Sequence, residues 1–446
     1  MTSPSPSLYL LAHAASRDKP GAQSEGGRTV NSNRAVMVAA VLVLGGAAPA
    51  RADVVLDWNG LAAQLIVGPG GANKVPPLGL VDLAMVHTAI YDAVNAVEDF
   101  PFEPYGTQPT VTLPASAEAA AARAGRDVLL ALYPSRSTDI ESLYASSLNA
   151  IPDGPARANG IDAGQQAAAG ILALRANDGR NAGTTIVEPP EAPGVWIRTP
   201  PAFLAPQAPW AGAIMPWTLK RPDQFRPEEP PALDSTDWVR DYDEVKALGP
   251  VTNSTRTAEQ TDIGRFWGDQ PMLQWNRAWR GISTAAGLSV QDNARFFAML
   301  AASSSDALIA CWDAKYHYMF WRPVTAIRAG GGNPALTDDP SWLGLVTTPN
   351  HPEYPAAHGC FSGASVETLS YFFRTDDFTF TITSNFTGVT TPVRTYSSFS
   401  QALQEVLDAR IYGGMHYRNS THKGALVGKQ VSHFATRHFF RRQDGN

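Results

Sequence analysis

Residues 78–98 of the chain read LGLVDLAMVHTAIYDAVNAVE, and apolar side chains recur there at helical spacing over wide faces. Such a pattern predicts a helix that is buried on most sides. The pair Phe100-Pro101 follows, and proline cannot continue a helix, so we expect the helix to end at about residue 98. His87 and Asp92 lie within this stretch and are interpreted as buried polar partners.

Helical patterns also surround this stretch along the chain. Ala-rich segments separated by Pro or Gly predict three more helices, and amphipathic segments predict six others. The predicted segments are 115–133, 136–150, 155–177, 235–248, 257–270, 278–290, 291–319, 398–414 and 421–440. Residues 378–396 alternate Phe, Thr and Ile and predict a small β excursion. The fold class expected is therefore all-α, with two packed four-helix bundles.

A proline-rich segment interrupts the helices. Residues 189–231 hold 12 of the 35 prolines together with Trp196, Trp210 and Trp217. The missing backbone donors exclude a helix or a central strand, and the tryptophans favour an ordered segment packed on the body. We expect residues 53–446 to form a single helical domain. Its parts would be N-terminal helices over 53–188, the wrapping segment over 189–232 and a C-terminal bundle over 233–446.

Composition excludes several classes of protein. The 446 residues carry a net charge of −6, which argues against nucleic acid as a general partner. Two cysteines exclude a disulfide framework and a Cys-rich zinc module. Apart from the N-terminal region, no uninterrupted apolar run is long enough for a multispan membrane protein.

The N-terminus has the pattern of a processing signal. Arg34 precedes an apolar run at 35–49, and ARA follows at 50–52, which matches a basic region, a short apolar region and a cleavage site. We expect a secretory signal peptide cut after Ala52, with an anchor helix as the alternative. The mature chain would then be secreted or periplasmic, without an integral membrane span. Because a basic region of this kind is normally short, residues 1–29 are interpreted as an upstream mis-start.

Three polar patches lie in the last third of the chain, where seven of the nine histidines occur. They read KYHYMFWRP at 315–323, HPEYPAAHGCFSG at 351–363 and RIYGGMH at 410–416. Lys315 and Arg322 are seven residues apart, which places both on one face if they share a helix. In the second patch, proline followed by small residues and a helical run predicts a helix N-terminus.

Taken together, the patches supply three cations, a helix N-terminus and two histidines. Backbone N–H groups and guanidinium forks match the geometry of phosphate-like oxygens. Each patch alone is typical of surface charge, a helix cap or a turn. Their combination predicts a receptor for a compact oxyanion.

The patches resemble, in the same order, the K-x6-RP, PSGH and SR-x5-H-x3-D signature of the vanadium-dependent haloperoxidase and type 2 phosphatidic acid phosphatase superfamily. Residues 83–95, 224–231 and 244–249 are similar to its secreted bacterial haloperoxidase-like branch, so the resemblance covers most of the mature chain. It implies vanadate as the cofactor, and hydrogen peroxide and a halide as partners. An organic acceptor is a further candidate partner.

The resemblance assigns the cations and one backbone group to the vanadate oxygens. Lys315, Arg322 and Arg410 would neutralise the equatorial oxygens. The backbone N–H of Ala357 would donate where the family uses glycine. Vanadium would act as a Lewis acid without changing its oxidation state.

Four side chains take further roles from the same resemblance. His416 would bond vanadium axially, and His358 would hydrogen-bond the opposite apical oxygen and shuttle a proton when peroxide binds. His351 occupies a position that is histidine in bromide-oxidising relatives and aromatic in a chloride-oxidising type. It therefore favours bromide or iodide, unless it only caps a loop. Trp321 is expected to wall the pocket.

Besides Ala357, three positions depart from the family signature. Ala356 and Ala409 replace serines, and a missing hydroxyl donor can cost roughly 3 kcal/mol of transition-state stabilisation. Ser420 replaces an aspartate, so that position supplies no carboxylate to fix the tautomer of His416. Three hypotheses remain open: a vanadate-dependent haloperoxidase, a secreted acid phosphatase with a phosphohistidine at His416, and an inactive oxyanion-binding homologue.

The two cysteines flank the predicted pocket. Cys311 lies one helical turn before Lys315, and Cys360 lies two residues after His358. One hypothesis is a disulfide that pins the two anion-binding helices together. The other is a pair of buried thiols that act as small apolar side chains.

Overall fold

Helices dominate the computed structural model of the protein, which describes residues 53–443. That part of the chain contains thirteen α-helices and one antiparallel pair of strands. The helices are α1 Val54–Val67, α2 Pro76–Val97, α3 Ala117–Leu132, α4 Ser137–Asn149, α5 Pro155–Leu174, α6 Thr236–Leu248, α7 Ala258–Phe266, α8 Pro271–Ala286, α9 Val290–Tyr318, α10 Pro323–Arg328, α11 Ala357–Phe373, α12 Phe399–Tyr412 and α13 Arg418–His438, and the strands are β1 Asp377–Thr383 and β2 Val393–Ser398. The all-α prediction is therefore confirmed.

Helices α2 and α9 form the centre of the core. α2 packs against α3, α5 and α9, and α9 also packs against α11 and α13. Within residues 53–443, only α2 and α9 are long and apolar enough to cross a membrane. The most apolar window of α2 is 100% buried inside the protein, and that of α9 is 94% buried. Their hydrophobicity is therefore explained by the protein core.

The polar residues of α2 have structural partners. The side-chain amide nitrogen of Asn59 lies 2.9 Å from His87 Nε2, and the His87 ring stacks on Phe297 with 5.1 Å between centroids. The Asp92 carboxylate accepts the backbone N–H groups of residues 105–107. The interpretation of His87 and Asp92 as buried polar partners is confirmed.

Close packing of α11 on α13 depends on glycines. A Cβ atom added to Gly428 would lie 2.1 Å from the carbonyl oxygen of Cys360, and one added to Gly424 would lie 2.4 Å from that of Ala356. A Cβ on Gly359 would likewise meet the α13 backbone at 2.7 Å. These contacts leave no room for a side chain, so the start of α11 lies directly against the start of α13.

The proline-rich segment, residues 189–231, is ordered and forms neither α-helix nor strand, as predicted. Its regular parts are two short 3₁₀ turns, Pro209–Ala213 and Pro222–Phe225. Trp196 and Trp217 are buried, so the segment packs on the body as the tryptophans indicated.

Helices α1 and α10 were not predicted, and the start of α8 was misplaced. Asp53 starts α1 by accepting the Val55 N–H. Helix α8 begins at Pro271 instead of residue 278, because the Gln270 side chain caps its first turn. The predicted β excursion is an antiparallel hairpin in which Phe380 faces Tyr396. The predicted signal peptide lies outside the described residues.

Candidate active site

Three segments of the chain meet where α9 ends and α11 and α13 begin. They are the α9–α10 junction at 315–323, the loop at 351–356 that precedes α11, and the turn at 413–417 between α12 and α13. These segments belong to the three polar patches of the sequence. The fold therefore brings together residues that are about a hundred positions apart.

Lys315 and Arg322 do not share a helix, so the spacing of seven does not place them on one helix face. Helix α9 ends at Tyr318, and Met319 turns the chain with a left-handed φ of 47°. Arg322 then precedes the separate helix α10. Both side chains nevertheless reach the loop at 351–355, because the sharp turn folds the chain back toward it.

Lys315 is fully buried and bonds to the backbone. Its Nζ donates to the carbonyl oxygens of Pro352, Glu353 and Pro355 at 2.8, 2.9 and 2.6 Å. Burial lowers the pKa of Lys315 to about 8, so the ammonium is largely charged at neutral pH. Lys315 therefore fixes the loop and supplies positive charge from behind it.

Arg322 joins the loop to the turn. Its Nε donates to the carbonyl oxygen of His351 at 2.9 Å, and its Nη1 donates to that of Met415 at 3.0 Å. The same Nη1 lies 3.1 Å from His416 Nε2. Burial lowers the pKa of Arg322 to about 10, which leaves it charged at neutral pH.

His416 is held in one tautomer by two partners. Its Nδ1 lies 2.8 Å from the carboxylate oxygen Oε1 of Glu353, while its Nε2 faces the guanidinium of Arg322. Since Arg322 can only donate, Nε2 accepts and Nδ1 carries the proton. Burial and the cations Arg322, Lys315 and Arg410 hold the pKa of His416 well below its usual value. The imidazole is therefore neutral, with an unprotonated Nε2.

Glu353 is the site residue that the sequence analysis missed. It is fully buried and accepts the Tyr417 backbone N–H at 3.1 Å in addition to His416. Burial raises the pKa of Glu353 to about 7, although Arg322 and Lys315 oppose that rise. Its carboxylate bonds to His416, which is the contact that Ser420 cannot supply because it has no carboxylate. A signal existed, because Glu353 is the one acidic residue between 340 and 366.

His358 lies in the first turn of α11. Ala356 precedes this helix and provides no side-chain cap, so the first turn keeps backbone donors at its N-terminus. Among residues 53–443, none bonds to the buried His358 Nε2. Burial and the neighbouring cations hold the pKa of His358 well below its usual value, so it is neutral.

Arg410 is buried at the end of α12. Its Nη1 donates to the Trp267 carbonyl oxygen at 2.7 Å, and its Nη2 contacts the sulfur of Met415 at 2.9 Å. Its Nε has no hydrogen-bond partner in the described part of the chain. Burial and the charge of Arg322 lower the pKa of Arg410 to about 9.

A cavity of about 270 Å³ opens onto this cluster. One wall includes the polar side chains of His351, His358, Arg410 and His416, together with Ala357 at the start of α11. Lys315 and Arg322 stand behind that wall and do not line the cavity. The remaining wall has apolar side chains, among them Leu308, Trp312, Val346, Pro349, Phe361 and Met415, and four polar ones, Gln207, Asp269, Gln270 and Thr347.

The two side chains predicted to tune the site lie in different places. His351 lines the cavity, with its Nδ1 3.0 Å from Arg322 Nη2. Trp321 does not line it and instead stacks on Trp238, with 5.9 Å between ring centroids. The turn at Met319 directs it there. Trp312 is the tryptophan of the cavity wall, and its ring centroid lies 4.8 Å from that of His351.

Cys311 and Cys360 are both buried free thiols, so the hypothesised disulfide is absent from this structure. The thiols lie within hydrogen-bonding reach of each other. Cys311 Sγ is also 3.6 Å from the carbonyl oxygen of Pro355. The pair packs beneath the loop at 351–356 as small side chains.

The donor set fits an oxyanion such as vanadate. Arg410 Nε and His358 Nε2 are buried polar atoms without partners, and the N-terminus of α11 adds backbone donors. His416 contributes one unprotonated ring nitrogen. Residues 53–443 contain no group of three His, Cys, Asp or Glu side chains that could hold a bare cation. These donors could hold a negatively charged group, and His416 Nε2 could be a nitrogen ligand to it.

Comparisons with known proteins show which families the chain resembles. Residues 295–445, which include all three segments, match the family model described as the VCPO second helical-bundle domain. Vanadium chloroperoxidase of Curvularia inaequalis is 25% identical over 402 aligned positions. The match spans 72% of this chain and 66% of that protein, slightly less than two thirds of its length.

Two solved structures share the fold. The first bacterial vanadium-dependent iodoperoxidase matches with a TM-score of 0.71 and 24% identity, over 88% of this chain and 97% of its own. An apo-type bacterial vanadium-dependent chloroperoxidase matches with a TM-score of 0.63 and 16% identity, over 81% and 92% of the two chains. The resemblance found in the sequence is confirmed: the chain is similar to vanadium haloperoxidases, and its residues 295–445 match the model of the VCPO second helical-bundle domain.

Proposed function

We propose that the protein is an exported vanadate-dependent peroxidase that oxidises halide with hydrogen peroxide. The observation that carries the proposal is the state of His416. Its Nε2 is unprotonated and its Nδ1 is held by Glu353, in a cavity with Arg410 and His358 in the wall and two more cations behind it. A neutral imidazole surrounded by cations suits an oxyanion that binds one nitrogen ligand.

In this proposal, Arg410, the first turn of α11 and the charges of Lys315 and Arg322 would hold vanadate, and His416 Nε2 would be its protein ligand. Bound vanadate supplies Lewis-acid activation of peroxide. Glu353 keeps the proton on His416 Nδ1 and so leaves Nε2 unprotonated, and an oxyanion would replace Arg322 Nη1 as the partner of Nε2. His358 is neutral at neutral pH because its pKa is held well below its usual value, so its unprotonated ring nitrogen could accept a proton.

The halide preference remains the one that His351 indicates, with bromide or iodide favoured over chloride. His351 lines the cavity beside Trp312. The apolar part of the wall would also accommodate a small organic acceptor of the oxidised halogen. Replacing His351 by Phe tests this assignment, and we expect the ratio of bromide to chloride oxidation rates to fall.

A second candidate function is phosphate-ester hydrolysis through a phosphohistidine at His416. One observation favours it beyond the sequence: the His416–Glu353 pair provides the carboxylate that Ser420 does not, and a carboxylate-oriented imidazole is a better nucleophile. The same pair argues against an inactive homologue. Both activities need the same cavity, so only assays separate them.

The deciding experiment measures both activities on the purified protein, with and without orthovanadate. Vanadate-dependent bromide or iodide oxidation supports the proposal. Ester hydrolysis that vanadate inhibits supports the second function, and the absence of both supports an inactive homologue. His416→Ala should abolish whichever activity is found. His422→Ala, at an exposed histidine of α13, is the matched control and should retain it.

Export is part of the proposal, through a signal peptide cut after Ala52. The start of α1 supports this site, because Asp53 caps the helix and would be the first residue of the mature chain. Cleavage there would leave every described element intact. N-terminal sequencing of protein recovered from outside the cytoplasm should begin at Asp53; a chain that keeps residues 35–49 would favour the anchor helix.

A further inference from the structure

Met415 occupies an unusual place for a methionine, between two cationic groups of the site. Its sulfur lies 2.9 Å from Arg410 Nη2, and its backbone oxygen accepts from Arg322 Nη1 at 3.0 Å. The residue is 1% exposed, yet it lines the cavity together with His358 and His416. A thioether therefore lies directly beside the atoms proposed to bind vanadate.

We propose that Met415 is a self-modification site, at which oxidant produced in the cavity converts the thioether to a sulfoxide and thereby lowers the affinity of the site for its oxyanion. The inference rests on the proposed peroxidase function, because that function supplies the oxidant. Methionine sulfur is oxidised readily, and the product can be reduced again by methionine sulfoxide reductases. The modification would thus be a reversible limit on turnover.

The oxidation is a two-electron oxygen transfer. With hydrogen peroxide, the sulfur gains one oxygen atom, the O–O bond breaks and water leaves. With hypohalous acid, the oxygen–halogen bond breaks, and halide and a proton leave. In both cases sulfur loses the two electrons that the oxidant gains.

Arg410 links the modification to oxyanion binding. A thioether sulfur is a weak hydrogen-bond acceptor, whereas a sulfoxide oxygen is a strong one. Arg410 Nη1 is already bonded to the Trp267 carbonyl oxygen, so a strong bond at Nη2 would tie up a second donor. Less of the guanidinium would then be available to an oxyanion.

The other methionines provide an internal standard for the test. Met215 is 40% exposed, while Met85, Met272 and Met299 are fully buried in the core. Oxidant arriving from bulk solvent should modify Met215 first. Oxidant produced in the cavity should modify Met415 first, even though it is nearly as buried as the core methionines.

The experiment adds hydrogen peroxide in small steps to the full chain with bromide, with or without orthovanadate, and quantifies the gain of one oxygen on each methionine by peptide mass spectrometry. Halide oxidation is followed in the same samples. We expect Met415 to be modified first when vanadate is present and Met215 first when it is absent. Halide oxidation with Met415 still unmodified would overturn this inference alone. Absence of halide oxidation would overturn the proposed function and this inference with it.

A binding measurement tests the consequence for Arg410. Sulfate is a tetrahedral oxyanion that needs no vanadium, and its affinity can be measured by calorimetry before and after oxidation. We expect oxidation to lower sulfate affinity roughly tenfold, as for loss of one hydrogen bond from a charged group, and sulfoxide reductase to restore it. Met415→Leu should remove this response and slow the loss of activity during turnover. Met215→Leu, the matched control, should change neither; an unaltered response in Met415→Leu would contradict the mechanism.

Discussion

Two groups of buried polar side chains in this protein differ in how completely they are hydrogen-bonded. The first group consists of carboxylates that hold loops, here called the loop anchors. Asp306 of α9 accepts the backbone N–H groups of residues 217–219 and the Thr218 hydroxyl, at 2.6 to 3.1 Å. The other loop anchors act in the same way, Asp92 on residues 105–107 and Asp262 on residues 390–391.

The second group lines or adjoins the cavity and is incompletely bonded. Among the described residues, no partner reaches Arg410 Nε or His358 Nε2. Leaving a buried polar atom unpaired costs free energy, so a stable fold normally avoids it. The loop anchors therefore contribute to stability, while the cavity residues give up stability to present donors and acceptors to a ligand.

The largest effect should come from breaking a loop anchor. Asp306→Ala leaves three buried N–H groups and the Thr218 hydroxyl without their acceptor, and we expect it to lower the free energy of unfolding by about 4 kcal/mol. Urea denaturation measures this. The exposed Asp234→Ala should change it by less than about 0.5 kcal/mol. Equal effects of the two substitutions would remove the distinction between anchors and ordinary carboxylates.

Glu353→Gln should have the opposite effect to Asp306→Ala, with a large loss of activity and no loss of stability. It removes the carboxylate that orients His416, and we expect kcat for halide oxidation to fall roughly 10- to 100-fold. Since the pKa of Glu353 is raised to about 7, the folded protein binds this proton more tightly than the unfolded chain, and ionisation above pH 7 is unfavourable to folding. The free energy of unfolding at pH 8 should therefore stay constant or rise. Glu191→Gln, at an exposed glutamate, is the matched control for both measurements.

Arg410→Met tests the comparison between loop anchors and cavity residues for a buried cation. We expect sulfate affinity to fall roughly tenfold, while the free energy of unfolding changes by less than about 1 kcal/mol. The reason is that burial and Arg322 already disfavour the charge of Arg410. A stability loss as large as that of Asp306→Ala, with sulfate affinity unchanged, would make Arg410 a structural residue.

The pH dependence of sulfate binding should give the smallest effect. Because the pKa of Lys315 is lowered from 10.5 to about 8, its charge is lost as the pH rises through 8. Affinity should therefore fall between pH 7 and pH 9, by no more than about tenfold per pH unit. The contribution of Lys315 to the free energy of unfolding should rise with pH instead. The reason is that between pH 8 and 10.5 the unfolded chain binds the proton that the folded protein has lost. In Lys315→Met the fall in affinity above pH 8 should be reduced.

Much of the fold followed from local sequence patterns. The helices at 76–97 and 290–318 were predicted nearly to their ends, because a wide apolar stripe at helical spacing is typical of a buried helix. Helix α1 was missed because it directly follows the apolar leader, and no separate helix was assigned to it. The start of α8 was misplaced because its cap depends on the Gln270 side chain, which periodicity does not report.

The candidate site was predictable only in part. His351, His358, Arg410 and His416 line one cavity, as three separated motifs indicated. The pairing of Glu353 with His416 was not predicted, because it joins residues 63 positions apart that no periodicity relates. Trp321 was expected to wall the pocket, but Trp312, which had no predicted role, lines it instead, since the left-handed residue Met319 turns the chain before Trp321.

By itself, the sequence determined the helical class, the buried helices and the types of residue available to bind an oxyanion. Hydrophobic spacing and charge are local properties, so they can be read along the chain. The tertiary structure alone decided which cations face the cavity, which stand behind it, and which carboxylate orients His416. Those outcomes depend on packing between distant helices and on where a turn directs the backbone, and both are set by the whole fold.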